Sequence, residues 1–211
     1  VVAGALGHHA VALEAQQARV LDLRALDRDA LALEGRAGDQ VVVALHHQHA
    51  VIDVGTRCAL DEALRARGCK ADIGIVLNLS PMFPATDSAA DQAKARLEDG
   101  RLVRWYMDPL FKATYPQDVL DHLGADAPRV QAGDMQAIAT PMDFLGINYY
   151  SRSVVSADDD WKVNDSGYGV TDMGWEIYPQ GLTELLLKLK AEYALPPVYI
   201  TENGMANPDQ A

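Results

Sequence analysis

The tetrapeptide Thr201-Glu202-Asn203-Gly204 directly follows the apolar, β-rich run Val198–Ile200. A carboxylate at the end of such a strand is costly to bury without hydrogen-bond donors, so Glu202 either finds partners or points into solvent. Two other apolar runs end in polar groups. Ile73–Leu79 (IGIVLNL) brings Asn78 and Ser80, and Phe144–Tyr150 (FLGINYY) brings Asn148 and Tyr150. Parallel strands place their carboxyl ends on one face, where ligands bind and a partnered carboxylate does its chemistry. A second cluster, His46-His47-x-His49, has ligand-type side chains. On a strand His47 and His49 would share one face and His46 the other, and no Cys or carboxylate motif completes a tetrahedral set, so no metal is expected. Cys58 and Cys69 show no CxxC spacing and no redox role is expected of them. Trp175, on spacing alone, reads as a packing residue under a long loop.

The elements that must position these residues are legible after residue 70. The three short apolar runs read as strands buried on both faces. Leu182–Tyr193 reads as a helix with Leu182, Leu185, Leu186 and Leu189 on one face, stopped by Pro196-Pro197. Leu102–Phe111 has apolar residues at helical spacing around Pro109, and Asp134–Ala139 is a short helix. Residues 151–180, polar and containing Gly167, Gly169 and Gly174, read as a long loop. Strand, helix, strand, helix, strand is parallel α/β organisation.

Residues 1–69 are built differently. No aromatic residue precedes Phe83, and the first Lys, Asn, Ser and Pro are Lys70, Asn78, Ser80 and Pro81. Two readings stand side by side. One is an Ala/Leu-rich, mainly helical region, with helices over Val11–Leu33 and Ala59–Arg67 and a strand over Gln40–Leu45. The other is a displaced reading frame of GC-rich DNA. The chain therefore divides into 1–69, an atypical segment, and 70–211.

With 211 residues, 49% apolar and 23% charged, the chain has the composition of a folded globular domain. Its net charge of −12 repels phosphate backbones, so no nucleic-acid partner is expected. No apolar stretch is long enough to span a membrane. Two cysteines outside any framework, with no visible signal peptide, point to a reducing, cytoplasmic compartment.

Five segments in order, Ile73–Pro84, Arg104–Pro116 (RWYMDPLFKATYP), Asp143–Tyr150, Met173–Leu182 (MGWEIYPQGL) and Val198–Gly204, resemble family 1 glycoside hydrolases of the β-glucosidase and β-galactosidase type. The resemblance implies part of a (β/α)8 barrel, with its fifth, sixth and seventh strands recognisable. Glu202 matches the nucleophile of a retaining mechanism and Tyr150 the tyrosine that hydrogen-bonds it. Asn148 matches a sugar-site residue and Trp175 a tryptophan beside the aglycone. Asn78 and Asn203 complete the expected substrate-binding set. No cofactor or metal is implied; the substrate would be a β-glycoside or oligosaccharide. The family's Asn-Glu-Pro acid/base motif does not occur in this sequence, and Ala211 precedes the position of an eighth strand. The expectation is a portion of the enzyme, inactive by itself. The alternative is a non-catalytic half-barrel that binds sugar or pairs with another chain, and open strand edges invite self-association.

Overall fold

The computed structural model describes residues 61–158 and 168–208, together with the backbone of two short strands before them. These are β1 (Arg19–Val20) and β2 (Val41–Ala44), followed by β3 (Ile73–Asn78), β5 (Phe144–Tyr149) and β7 (Val198–Asn203). The five form one sheet in the order β1-β2-β3-β5-β7, with every neighbouring pair parallel. Each strand joins beside the one before it in the sheet, which is the winding of a (β/α)8 barrel, here part of one. Among the described residues after β3, the α-helices are, in chain order, α1 (Ala89–Asp99), α2 (Trp105–Lys112), α3 (Gln117–Leu123), α4 (Asp134–Ile138) and α5 (Gln180–Glu192). A π-helical turn, Gly100–Arg104, joins α1 to α2.

Side chains alternate across β3 and β5 and divide the sheet into two faces. Ile73, Ile75 and Leu77 of β3 and Leu145, Ile147 and Tyr149 of β5 pack with Tyr106, Met107 and Leu110 of α2 and Leu185 and Leu189 of α5. The expected leucine face of α5 is thus its buried face. The other sheet face carries Val76 packed on Phe144, with Asn78 and Asn148 paired at its carboxyl end. Gly146 lies on this face, where an added Cβ would sit 2.7 Å from Val76 Cγ2 and 3.0 Å from Thr201 Cγ2.

Two expectations need correction. Residues 151–180 are not one long loop: β6 (Ser153–Val155) pairs in parallel with β4 (Met82–Pro84). This small sheet is tied to α1 through Asp91, whose carboxylate accepts from Thr86 Oγ1 at 2.5 Å, Ser156 Oγ at 2.9 Å and Ala157 N at 2.7 Å. Nor is Val11–Leu33 an unbroken helix, because Arg19–Val20 pairs with Val41–Val42 as a strand; sheet pairing overrides the helix propensity of the surrounding Ala and Leu residues. The expected strand within Gln40–Leu45 is β2, and residues 61–66 are helical. Sheet and core both run across the composition change near residue 70. β2 pairs with β3, and Leu64 is 2% exposed within the main core. His46, His47, His49 and Cys58 lie outside the described residues.

Candidate active site

The carboxyl ends of β3, β5 and β7 bring Asn78, Asn148 and Glu202 into one row. Asn78 pairs with Asn148, and Asn148 pairs with Glu202. The second pairing depends on an irregularity in the β5–β7 ladder. Ile147 faces Ile200, but the next residue, Asn148, faces Glu202, so Thr201 is an extra residue in β7. A bulge of this kind re-aims the side chains that follow it. Thr201 is fixed in place by its own hydroxyl, which donates to Asn148 Oδ1 at 2.6 Å.

Tyr150, just beyond β5, donates its hydroxyl to Glu202 Oε2. Burial first, and then this hydrogen bond, push the phenol up to about 12. The hydroxyl therefore remains protonated and donating at neutral pH. Glu202 itself is exposed on this face. The Tyr150 ring in turn lies against Trp175, with centroids 5.6 Å apart and planes tilted by 55°. Trp175 is 39% exposed and sits on a small hairpin. Its N–H donates to Thr171 Oγ1 at 3.3 Å, Thr171 N–H donates to its carbonyl at 2.7 Å, and Gly174 supplies the left-handed turn at φ +75°.

The structure thus brings together Glu202, Tyr150 and Trp175 in direct succession, with Asn148 opposite Glu202 and Asn78 one strand further. Asn203 does a different job: its Nδ2 donates to the Tyr149 carbonyl at 2.8 Å, tying the two strand ends. Among the described residues no cluster of three or more His, Cys, Asp or Glu side chains is arranged to hold a metal. No motif or spacing assigns a role to Thr201, whose hydroxyl bonds across the bulge, or to Arg152 and Glu176, which pair through Nε–Oε2 at 2.5 Å and Nη2–Oε1 at 3.2 Å. Their signal was the charge of Glu176 between Trp175 and Ile177 in an otherwise aromatic and aliphatic stretch.

Each residue from 148 to 152 has a separate assignment. Asn148 holds Thr201; Tyr149 is buried and donates to the Tyr178 carbonyl at 2.6 Å; Tyr150 holds Glu202. Ser151 donates to the Glu176 carbonyl at 2.6 Å, and Arg152 pairs with the Glu176 carboxylate.

The model of the family described as Glycosyl hydrolase family 1 matches residues 37–211. This chain belongs to glycosyl hydrolase family 1. It is similar to Beta-glucosidase A of Acetivibrio thermocellus, with 35% identity over 158 residues covering 69% of this chain and 35% of that protein. Beta-glucosidase A of Thermotoga maritima is 37% identical over 142 residues, covering 65% and 32% of the two chains. Among solved structures, a β-glucosidase from Exiguobacterium marinum superposes with a TM-score of 0.67 at 38% identity, over 76% of this chain and 38% of that one. The virulence factor SghA, solved with its substrate analog salicin, matches with a TM-score of 0.64 at 32% identity, over 76% and 38%. The chain therefore spans between 32% and 38% of the length of these relatives, and the shared part is a portion of their α/β barrel. The match begins at residue 37, well before the composition change near residue 70.

Proposed function

We propose that this chain supplies the nucleophile side of a retaining β-glycosidase site acting on terminal β-linked glucose or a similar sugar. Glu202 attacks the anomeric carbon and forms a glycosyl-enzyme ester, with Tyr150 orienting the carboxylate. Trp175 offers its exposed indole face to the aglycone, and Asn148 and Asn78 line the sugar side of the same row. The hydrogen bond from Tyr150 to Glu202 at the carboxyl edge of the sheet is the observation that carries this reading. Aryl β-glucosides are suitable ligands, since a family relative was solved with salicin as its substrate analog.

A retaining site needs a second carboxyl group, about 5–5.5 Å from the first, to protonate the leaving oxygen. The sequence has no Asn-Glu-Pro segment to provide it, so the 211 residues by themselves bind and accept a glycosyl group but do not turn over ordinary glucosides. A 2,4-dinitrophenyl 2-fluoro-β-glucoside needs little acid assistance and tests the reading. Incubation followed by peptide mass mapping is expected to find the adduct on Glu202, reduced in Tyr150→Phe. Intact protein without an adduct after prolonged incubation would overturn it.

The second reading is a half-barrel that pairs with another chain. It is favoured by β7, the last strand of the sheet, where Tyr199 is 43% and Ile200 41% exposed. Turnover of a β-glucoside that disappears in Glu202→Gln would decide against a non-catalytic role, and sedimentation reports self-association directly. A cytoplasmic location and a place in carbohydrate metabolism belong to this proposal; localisation of the tagged chain tests the first.

A further inference from the structure

Trp175 and Glu176 are neighbours with inverted environments: the tryptophan is 39% exposed and the glutamate 2% exposed. A buried carboxylate needs a partner, and Arg152 is that partner, gripping it with two nitrogens. The guanidinium is itself enclosed by aromatic rings, 3.7 Å from the centroid of Tyr178, 5.0 Å from Phe83 and 5.1 Å from Tyr168. We propose that the Arg152–Glu176 pair is a positioning clamp that sets the place of Trp175 against Tyr150, and so shapes the aglycone side of the site.

Different bonds hold the hairpin together and hold it in place. The bonds among Thr171, Gly174 and Trp175 fix the indole relative to its own turn. They say nothing about where that turn sits over β5. It is seated over the end of β5 from both sides of Tyr150, by Tyr149 through the Tyr178 carbonyl and, nearest to Trp175, by the two residues that follow Tyr150. On the far side of the turn, Asp172 N–H donates to the Ala206 carbonyl. Ser151 Oγ donates to the Glu176 carbonyl and Arg152 binds the Glu176 carboxylate. Both contacts converge on Glu176, one residue from Trp175, and both start within two residues of Tyr150. The planar guanidinium, stacked and doubly bonded, fixes distance and orientation together, which a lysine ammonium cannot do. The clamp thus couples Trp175 to Tyr150, the ring whose hydroxyl donates to Glu202. Its consequence for glycoside recognition rests on the function proposed above; its structural part does not.

The test uses the full chain labelled with 5-fluorotryptophan, whose three tryptophans give separate fluorine resonances, with Trp175 assigned through Trp175→Phe. Trp105, packed on Tyr115 at 4.5 Å, serves as the internal reporter of the fold. In Arg152→Lys and in Glu176→Gln the Trp175 resonance is expected to shift and broaden while that of Trp105 stays in place. A Trp175 resonance unmoved by either change would overturn the proposal. So would equal movement of the Trp105 resonance, including its loss on unfolding, since the pair would then support the fold as a whole. No sugar is present in this measurement, so failure of Glu202 labelling would refute the glycosidase reading and leave the clamp to be decided by fluorine alone.

Discussion

Asn148 stands opposite Glu202 because Thr201 is left out of the ladder between them. In an unbroken register Thr201 would pair with Asn148, and Glu202 would move on to face Tyr149, a residue whose side chain is committed to the core. A one-residue slip reverses the face of every side chain after it. The extra residue therefore delivers the carboxylate to the row that already contains Asn78 and Asn148, within reach of the Tyr150 hydroxyl.

Thr201→Val keeps the branched shape and removes the hydroxyl that donates to Asn148 Oδ1. Stability should fall by about 0.5–1.5 kcal/mol, the net value of one such bond, measured by urea unfolding. Glu202 labelling should slow in parallel, because the bulge is then less firmly set.

Burial, and then the hydrogen bond to Glu202, push the Tyr150 phenol up to about 12 from the ordinary tyrosine value of 10.0. The folded state thus holds this proton more tightly than the unfolded state. Its contribution to stability is complete below pH 10 and is lost as pH rises towards 12. Comparison of Tyr150→Phe with the parent isolates the effect from other tyrosines: the parent should lose more stability across that window.

Asp91 behaves in the opposite sense. The Thr86 hydroxyl, then the Ala157 N–H, hold its carboxyl down to about 2 from the ordinary aspartate value of 3.8. The associated stability is present above 3.8 and disappears as pH falls through about 2. Asp91→Asn should flatten the acid limb of the stability curve, followed by circular dichroism at fixed denaturant.

Leu64→Ala tests whether the segment before residue 70 is part of the folded unit. Leu64 packs in the same core as Ile73, Leu145 and Leu185, so truncation should cost about 2–5 kcal/mol. A segment foreign to the barrel would leave the unfolding midpoint unchanged.

The core strands were legible because buried parallel strands are written as unbroken apolar runs, and Ile73–Asn78 and Phe144–Tyr149 are two of them. Helix α5 was legible from its leucine spacing. The β4–β6 pair was not: Met82–Pro84 and Ser153–Val155 are three residues each, too short for any periodicity, and one of them contains a proline. At the site, Glu202 and Tyr150 stood out through family motifs, whereas their hydrogen bond depends on a bulge that no local pattern announces. Asn203 looked like a sugar ligand because it is polar and adjacent to Glu202; only the backbone placement shows its amide nitrogen occupied by Tyr149. Arg152 and Glu176 are 24 residues apart in the chain; the lone charge of Glu176 among apolar neighbours asks for a partner, but nothing in its neighbourhood names Arg152.

The run from Asn148 to Arg152 has a practical consequence for anyone editing this chain. Five successive side chains each bond a different group, two of them on Glu176, so a single inserted or deleted codon there would hand every duty to the wrong neighbour at once. No compensating point substitution could restore them all. The stretch between Gly124 and Gly133 is the reverse case: both glycines have open space around the position of a Cβ, and the residues between them are exposed or half-buried. An epitope, a fluorophore or a splice junction belongs at that turn.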